Sequence, residues 1–345
     1  MKRINFWRRS ACLVMLATTM LATLANGQEV VVLGGVEQVE EWLRAENWWG
    51  EENRDEQLTV PRAMITGINP RWRTASQELP VPQKKELFYR FMLPLIVHAN
   101  SMVMERRNNL FRMQAALAAG EDQADADMQA LREGAVLLRI AGKEEAAALS
   151  SHSENLAAVI DEAIYKLDII PAGLALGQAA YESGYGSSRF AVEGNALFGQ
   201  WTYGGKGLVP EQQRKSLGDH RIAAYDWPFD SVRGYFINLM SHPAYEDFRR
   251  LRAQLRAAGK PLTSMVLADG LIRYSERGQE YVDTLKGIMR VNKLAIADDA
   301  VFRDEPMRFV VGAEDEAAAA ELRKEVERLR ASGELEQIVS RMRLE

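Results

Sequence analysis

One stretch of this chain, Gly177 to Trp201, reads GQAAYESGYGSSRFAVEGNALFGQW and limits what the rest can be. Just upstream, Pro171 suits the first turn of a helix, and Ala172, Leu174, Ala175, Leu176, Ala179 and Ala180 are strong helix formers. A tightly packed helix is therefore predicted to carry Glu182 in its last turn. Gly184 and Gly186 end that helix, because glycine accepts the left-handed backbone of a helix C-terminus, and a second short helical turn follows from Ser187 to Val192. Glu182 stands at the lip of a break between two helices.

One turn back from Glu182 lie Gln178 and Ala179, and two turns back lies Ala175, so this face of the helix is mostly small and leaves room for a ligand. A carboxyl walled there by Tyr181, Tyr185 or Phe198 is partly desolvated. Desolvation disfavours the charged form and suits the group to donate a proton near neutral pH. The tripeptide ESG alone carries little information, since Glu followed by Ser-Gly is common on solvated surfaces. The ordered run A-x-ESG-x-G-x-S-x-F, then EGN-x-LFG with Trp201 close behind, carries much more.

That run resembles the glucosaminidase domain of peptidoglycan hydrolases, glycoside hydrolase family 73, in its Bax-like branch. The resemblance implies that Glu182 is the general acid and that Asn195 to Gly199 folds under a sugar-binding groove. Gln178, Tyr185, Asn195, Phe198 and Trp201 are then the expected substrate-binding residues. Ala196 and Tyr185 depart from the family, standing where Asn and Trp are frequent. KKELFYRFMLPLIVHAN upstream, HPAY at 242–245 and LADGLIRYSERGQEYVDTLKGIMRVN downstream extend the resemblance over about Pro82 to Asn292. In the last of these, the family places a tyrosine at the position of Tyr274 near the catalytic acid.

The remaining chemistry is narrowed by what the sequence lacks. Cys12 is its one cysteine, the four His residues are scattered, and there is no HExxH, no GxSxG and no phosphate-binding glycine loop. Carboxylates and hydroxyls must carry the reaction, with neither metal nor cofactor implied. Met1 to Gly27 has Lys2, Arg3, Arg8 and Arg9 before an apolar core from Ala11 to Ala25, the pattern of a secretory signal, and that core is short for a membrane span. Cleavage after Gly27 and export to the periplasm or cell envelope is the leading expectation, and an uncleaved anchor the other. Losing those four basic residues from 43 Lys and Arg against 48 Asp and Glu leaves a net charge of about −9, which disfavours a nucleic-acid partner.

In chain order, residues 28–83 read as a partly extended arm with a short helix near Val36 to Arg44. Its Trp42, Trp48 and Trp49 are expected to pin it to the main domain. Residues 84–150 read as helices: Leu87, Phe88, Phe91, Met92, Leu95 and Ile96 begin a long amphipathic one that Pro94 should kink or break. Residues 151–298 form the expected catalytic domain. Within it, glycine turns and the alternation in Arg221 to Tyr225 suggest a small β-hairpin lobe holding three candidates for a second acidic group, Glu211, Asp219 and Asp226. Glu211 leads because it follows Pro210 in the hairpin. Residues 299–345 read as a charged, accessory helical extension. The expected fold is mainly α (α+β), a lysozyme-like helical lobe with a β-hairpin lobe and accessory helices on either side.

The resemblance implies an endo-β-N-acetylglucosaminidase acting on the glycan strands of peptidoglycan. Either a second carboxylate activates water, or the substrate's 2-acetamido oxygen attacks the anomeric carbon. A lytic transglycosylase and a non-catalytic glycan-binding protein are the alternatives.

Overall fold

The computed structural model describes residues 29–49, 57–202, 207–210 and 221–340. Glu211 and Asp219 lie outside them, as do residues 1–28, where the secretory signal is expected.

The first segment is strand β1 (Glu29–Gly34), helix α1 (Gly35–Ala45), strands β2 (Thr59–Val60) and β3 (Ala63–Ile65), and helix α2 (Trp72–Glu78). The central helix α3 (Val81–Ala118) follows, then α4 (Asp125–Leu137), α5 (Lys143–Ala147) and α6 (Leu156–Lys166). The motif region is α7 (Ala172–Ser183) and α8 (Arg189–Gly194), with the small strands β4 (Trp201–Thr202), β5 (Gly207–Leu208) and β6 (Arg221–Ala223) behind it. Four helices close the region: α9 (Pro228–Ser241), α10 (Glu246–Ala257), α11 (Ser264–Leu267) and α12 (Gln279–Val291). The chain ends with β7 (Val301–Phe302), β8 (Arg308–Ala313), α13 (Glu316–Ser332) and α14 (Glu334–Ser340). The protein is mainly α with small sheets.

Helix α3 is the hub of the core. It runs unbroken through Pro94, whose ring removes a backbone bond at a cost of about 3 kcal/mol. Met92, Leu93, Leu95 and Ile96 around it are almost fully buried. Burying each such side chain stabilises by roughly 1.5–3 kcal/mol, so packing outweighs the local penalty. Among the described residues, α3 is also the one helix long and apolar enough to cross a membrane, yet more than half of its most apolar window is buried inside the fold.

Two polar clamps aim α7. The side chain of Asn100 on α3 donates to the carbonyl of Ile170 (2.8 Å) and accepts from its amide (3.0 Å), fixing the chain just before the helix. Arg252 on α10 donates to the carbonyls of Lys166 (2.6 Å) and Asp168 (2.8 Å), capping the end of α6, while Arg256 holds the Asp168 carboxylate through two bonds of 3.0 and 2.8 Å. Buried charges stay only where they are bonded in this way.

The arm and the tail, read from sequence as two separate accessories, join in one parallel sheet of order β1-β8-β3. The tail is therefore not wholly helical: β8 is the central strand. Arg308 on β8 grips Glu46 through two bonds of 2.6 Å, and Trp48, 1 % exposed, donates its indole N–H to the carbonyl of Arg90 on α3 (2.9 Å). Helix α13 covers one sheet face through Ala319, Leu322 and Val326, and the other face turns toward α3. Deleting residues 302–345 strips β1 and β3 of their shared partner. The truncated protein is expected to melt roughly 5 °C or more below the full chain and to be cut between residues 29 and 65 in limited proteolysis. An unchanged melting temperature would make the sheet dispensable.

Candidate active site

Glu182 sits in the last turn of α7, and Gly184, at φ 59°, ends the helix in the left-handed conformation. Tyr185 follows at φ 58°, a conformation that costs a non-glycine residue of order 1 kcal/mol or more. It is held there from outside the motif. Trp72 donates its indole N–H to the Tyr185 carbonyl (2.9 Å), and Phe88 and Tyr89 meet the Tyr185 ring edge-on at 5.7 and 5.9 Å. Ser183 reinforces the turn, its hydroxyl donating to Ala179 and accepting from the Gly186 amide.

The half-buried Glu182 carboxyl meets a relay of tyrosines. Tyr281 on α12 donates its hydroxyl to Glu182 Oε1 (3.0 Å) and accepts from the Gln178 side-chain amide (2.9 Å), and the Gln178 carbonyl oxygen accepts from Tyr235 on α9 (2.6 Å). Two stacks hold the rings. Tyr274 lies parallel to Tyr281 with centroids 5.5 Å apart, and Phe198 lies parallel to Tyr235 at 4.0 Å. On the other side of the carboxyl, Gly199 passes so close that a Cβ there would stand 3.3 Å from Glu182 Oε2. A side chain at 199 would press on the acid.

Burial raises the Glu182 pKa above its ordinary value, and the Tyr281 hydrogen bond partly opposes the rise. Burial and the neighbouring Glu182 charge push the Tyr281 hydroxyl far up, so it remains a neutral donor. Tyr274 and Tyr235 are also raised well above the ordinary phenol, first by burial. The arrangement can hold a proton on a carboxyl, orient it and release it toward a basic leaving atom.

The residues singled out in the sequence fall into different places. Glu182, Gln178 and Tyr274 come together, but Gln178 is fully buried and its amide is spent on two tyrosines, so it orients the relay instead of facing solvent. Tyr274 directs its hydroxyl to the Phe198 carbonyl (3.2 Å), not to Glu182. Asn195, at φ 48°, accepts from the Ile68 amide (3.2 Å) and donates to the carbonyls of Tyr225 (3.1 Å) and Asp226 (3.2 Å), stitching the motif to the β-lobe. Phe198 is a buried stacking partner. Tyr185 points its ring at α3, where Lys85 Nζ lies 5.5 Å from the centroid. Trp201, on β4 and 49 % exposed, and Tyr181, 37 % exposed with its ring edge on Tyr281, offer aromatic surface to solvent. The residue that sequence reasoning missed is Tyr281. Its only signal was a second tyrosine seven positions after Tyr274. Among the described residues, no group of three His, Cys, Asp or Glu side chains is placed to hold a metal ion.

The geometry thus sets one half-buried carboxyl, its pKa raised by burial, at a helix break on a helical scaffold, and comparisons with known proteins bear on its class. Residues 157–294 match the glucosaminidase family, described as mannosyl-glycoprotein endo-beta-N-acetylglucosaminidase. A relative is "Protein bax" of Escherichia coli (strain K12), 36% identical over 132 residues, which are 38% of this chain and 46% of that protein. The chain thus carries a Bax-like glucosaminidase domain. The matched stretch covers less than half of the relative's length. No solved structure matches. The matched segment runs from α6 to just beyond α12; α3 and the β1-β8-β3 sheet lie outside it and pack against it.

Proposed function

We propose that this protein is an exported peptidoglycan hydrolase, an endo-β-N-acetylglucosaminidase that cleaves the β-1,4 bond after N-acetylglucosamine. Glu182 protonates the leaving oxygen. The observation that carries this reading is a single half-buried carboxyl with a raised pKa, bonded by Tyr281, at the helix break where the glucosaminidase motif lies. Neutral tyrosines around it supply orientation without adding negative charge that would compete for the proton. Trp201 and Tyr181 provide apolar ring surface of the kind that sugar faces stack on.

The second chemical group is either a carboxylate of the β-lobe, with Glu211 first and Asp219 and Asp226 behind it, or the substrate's own acetamido oxygen. In both cases water completes the reaction and the product is a reducing sugar. Digesting purified sacculi and weighing the fragments tests this: reducing N-acetylglucosamine ends are expected, each product heavier by one water than its anhydro counterpart. Anhydro ends would make the enzyme a lytic transglycosylase, and intact sacculi would leave a glycan-binding protein.

A further inference from the structure

The N-terminal arm and the C-terminal tail have no part in the proposed chemistry, yet they meet around a cavity of about 300 Å³. It lies at the carboxyl ends of the parallel strands β1, β8 and β3, the edge at which open parallel sheets take up ligands. Leu33 and Ile65 line its sheet side, Val36 of α1 one wall, and Trp72, Phe88 and Phe91 the other. A pocket of this size with apolar, aromatic walls has the dimensions of a small-molecule site.

Two features say what fits. Gly312 lies on the central strand β8 on the same face as Val310, and a Cβ there would meet nothing nearer than Asn69 at 3.8 Å. Gly312 is exposed at the mouth of the cavity, and a glycine inside a strand leaves the backbone there open to close approach. The polar groups at the rim are already occupied by one another. The Asn69 side chain donates to the Gly312 carbonyl (3.2 Å) and accepts from the Arg71 amide (2.9 Å), while the Arg71 guanidinium donates to the Glu314 carbonyl (3.3 Å) and lies 3.6 Å from its carboxylate. Arg71 and Glu314 are more than half exposed at the mouth, so a charge could be matched only there; carried into the apolar interior it would lack a partner, at a large cost.

We propose that this cavity binds an uncharged, ring-bearing apolar small molecule of about ten to seventeen non-hydrogen atoms, since an apolar cavity of roughly half its volume already accepts benzene. Such a ligand would lie against Trp72 and Phe88, the two side chains that brace the Tyr185 turn, and beside Gly186 and Leu197 of the motif itself. The site is separate from Glu182 and stands whether or not the glycosidase reading does.

The test is a fluorescence titration of the full chain with the neutral probe N-phenyl-1-naphthylamine, competed with naphthalene. Saturable one-to-one binding is expected, weakened at least about tenfold by Gly312→Val, which narrows the cavity mouth from the strand, and by Val36→Trp, which fills the cavity from α1. The anionic probe 8-anilinonaphthalene-1-sulfonate is expected to bind at least about tenfold more weakly than the neutral one. Absence of saturable binding, or wild-type affinity in both variants with native circular dichroism, would overturn the site; if Gly312→Val does not fold, Val36→Trp decides alone. Equal affinity for the anionic probe, or displacement by decanol at lower concentration than by naphthalene, would overturn the ligand class.

Discussion

Glu182→Gln is expected to reduce cleavage of purified peptidoglycan by at least about a hundredfold, the lower end of what a general acid contributes, while leaving the fold and glycan binding intact. Gln keeps the oxygen that accepts from Tyr281 and the volume beside Gly199, so the proton is the one thing removed. A variant that kept more than about a tenth of the wild-type rate would take the acid role away from Glu182.

The same substitution has a stability signature of known sign. Burial raises the folded-state pKa of Glu182 above its ordinary 4.5, so the native protein binds this proton more tightly than the unfolded chain does. The penalty is absent below the unfolded pKa and grows as pH rises through the folded pKa, where the native state is left holding a poorly solvated charge. Gln carries no such charge. Glu182→Gln should therefore melt higher than wild type at pH 7 to 8, with the gap closing below about pH 4. A wild-type protein that is the more stable of the two at pH 8 would contradict the desolvation argument.

What the sequence disclosed and what it hid divide along chain distance. The helix carrying Glu182 was legible because its causes are local: a run of Ala and Leu after Pro171, then glycine where the backbone must turn left-handed. The amphipathic period of α3 was equally plain, and only the continuity through Pro94 needed the buried neighbours to explain it. Tyr281 was not legible, because its bond to Glu182 crosses 99 positions and depends on how α12 is set against α7. The pairing of β1 with β8 joins Glu29 to Arg308, a distance at which periodicity says nothing. Asn195 is a different case. Its family position suggested a sugar contact, but asparagine also tolerates left-handed backbone and bonds nearby main chain, and the structure uses both properties.

Tyr281→Phe distinguishes positioning from packing at this site. Its hydroxyl is the one described side-chain group bonded to Glu182, and losing it frees the carboxyl to rotate, so turnover should fall by roughly ten- to a thousandfold, as when one oriented donor is removed from a transition state. The loss also leaves the buried Gln178 amide without its acceptor, which costs about 1–3 kcal/mol of stability whatever the catalytic role. A lower melting temperature alone thus proves nothing. The discriminating readout is the pH profile. The Tyr281 bond holds the Glu182 pKa down against burial, so removing it should raise that pKa further and move the basic limb of the rate profile to higher pH, where wild type has already lost its proton. Tyr274→Phe is the control: it keeps the ring stacked on Tyr281 and gives up only a bond to the Phe198 carbonyl, so its basic limb should stay in place. A basic limb that stays fixed in Tyr281→Phe as well would reduce Tyr281 to a packing residue and leave burial as the sole device that tunes the acid.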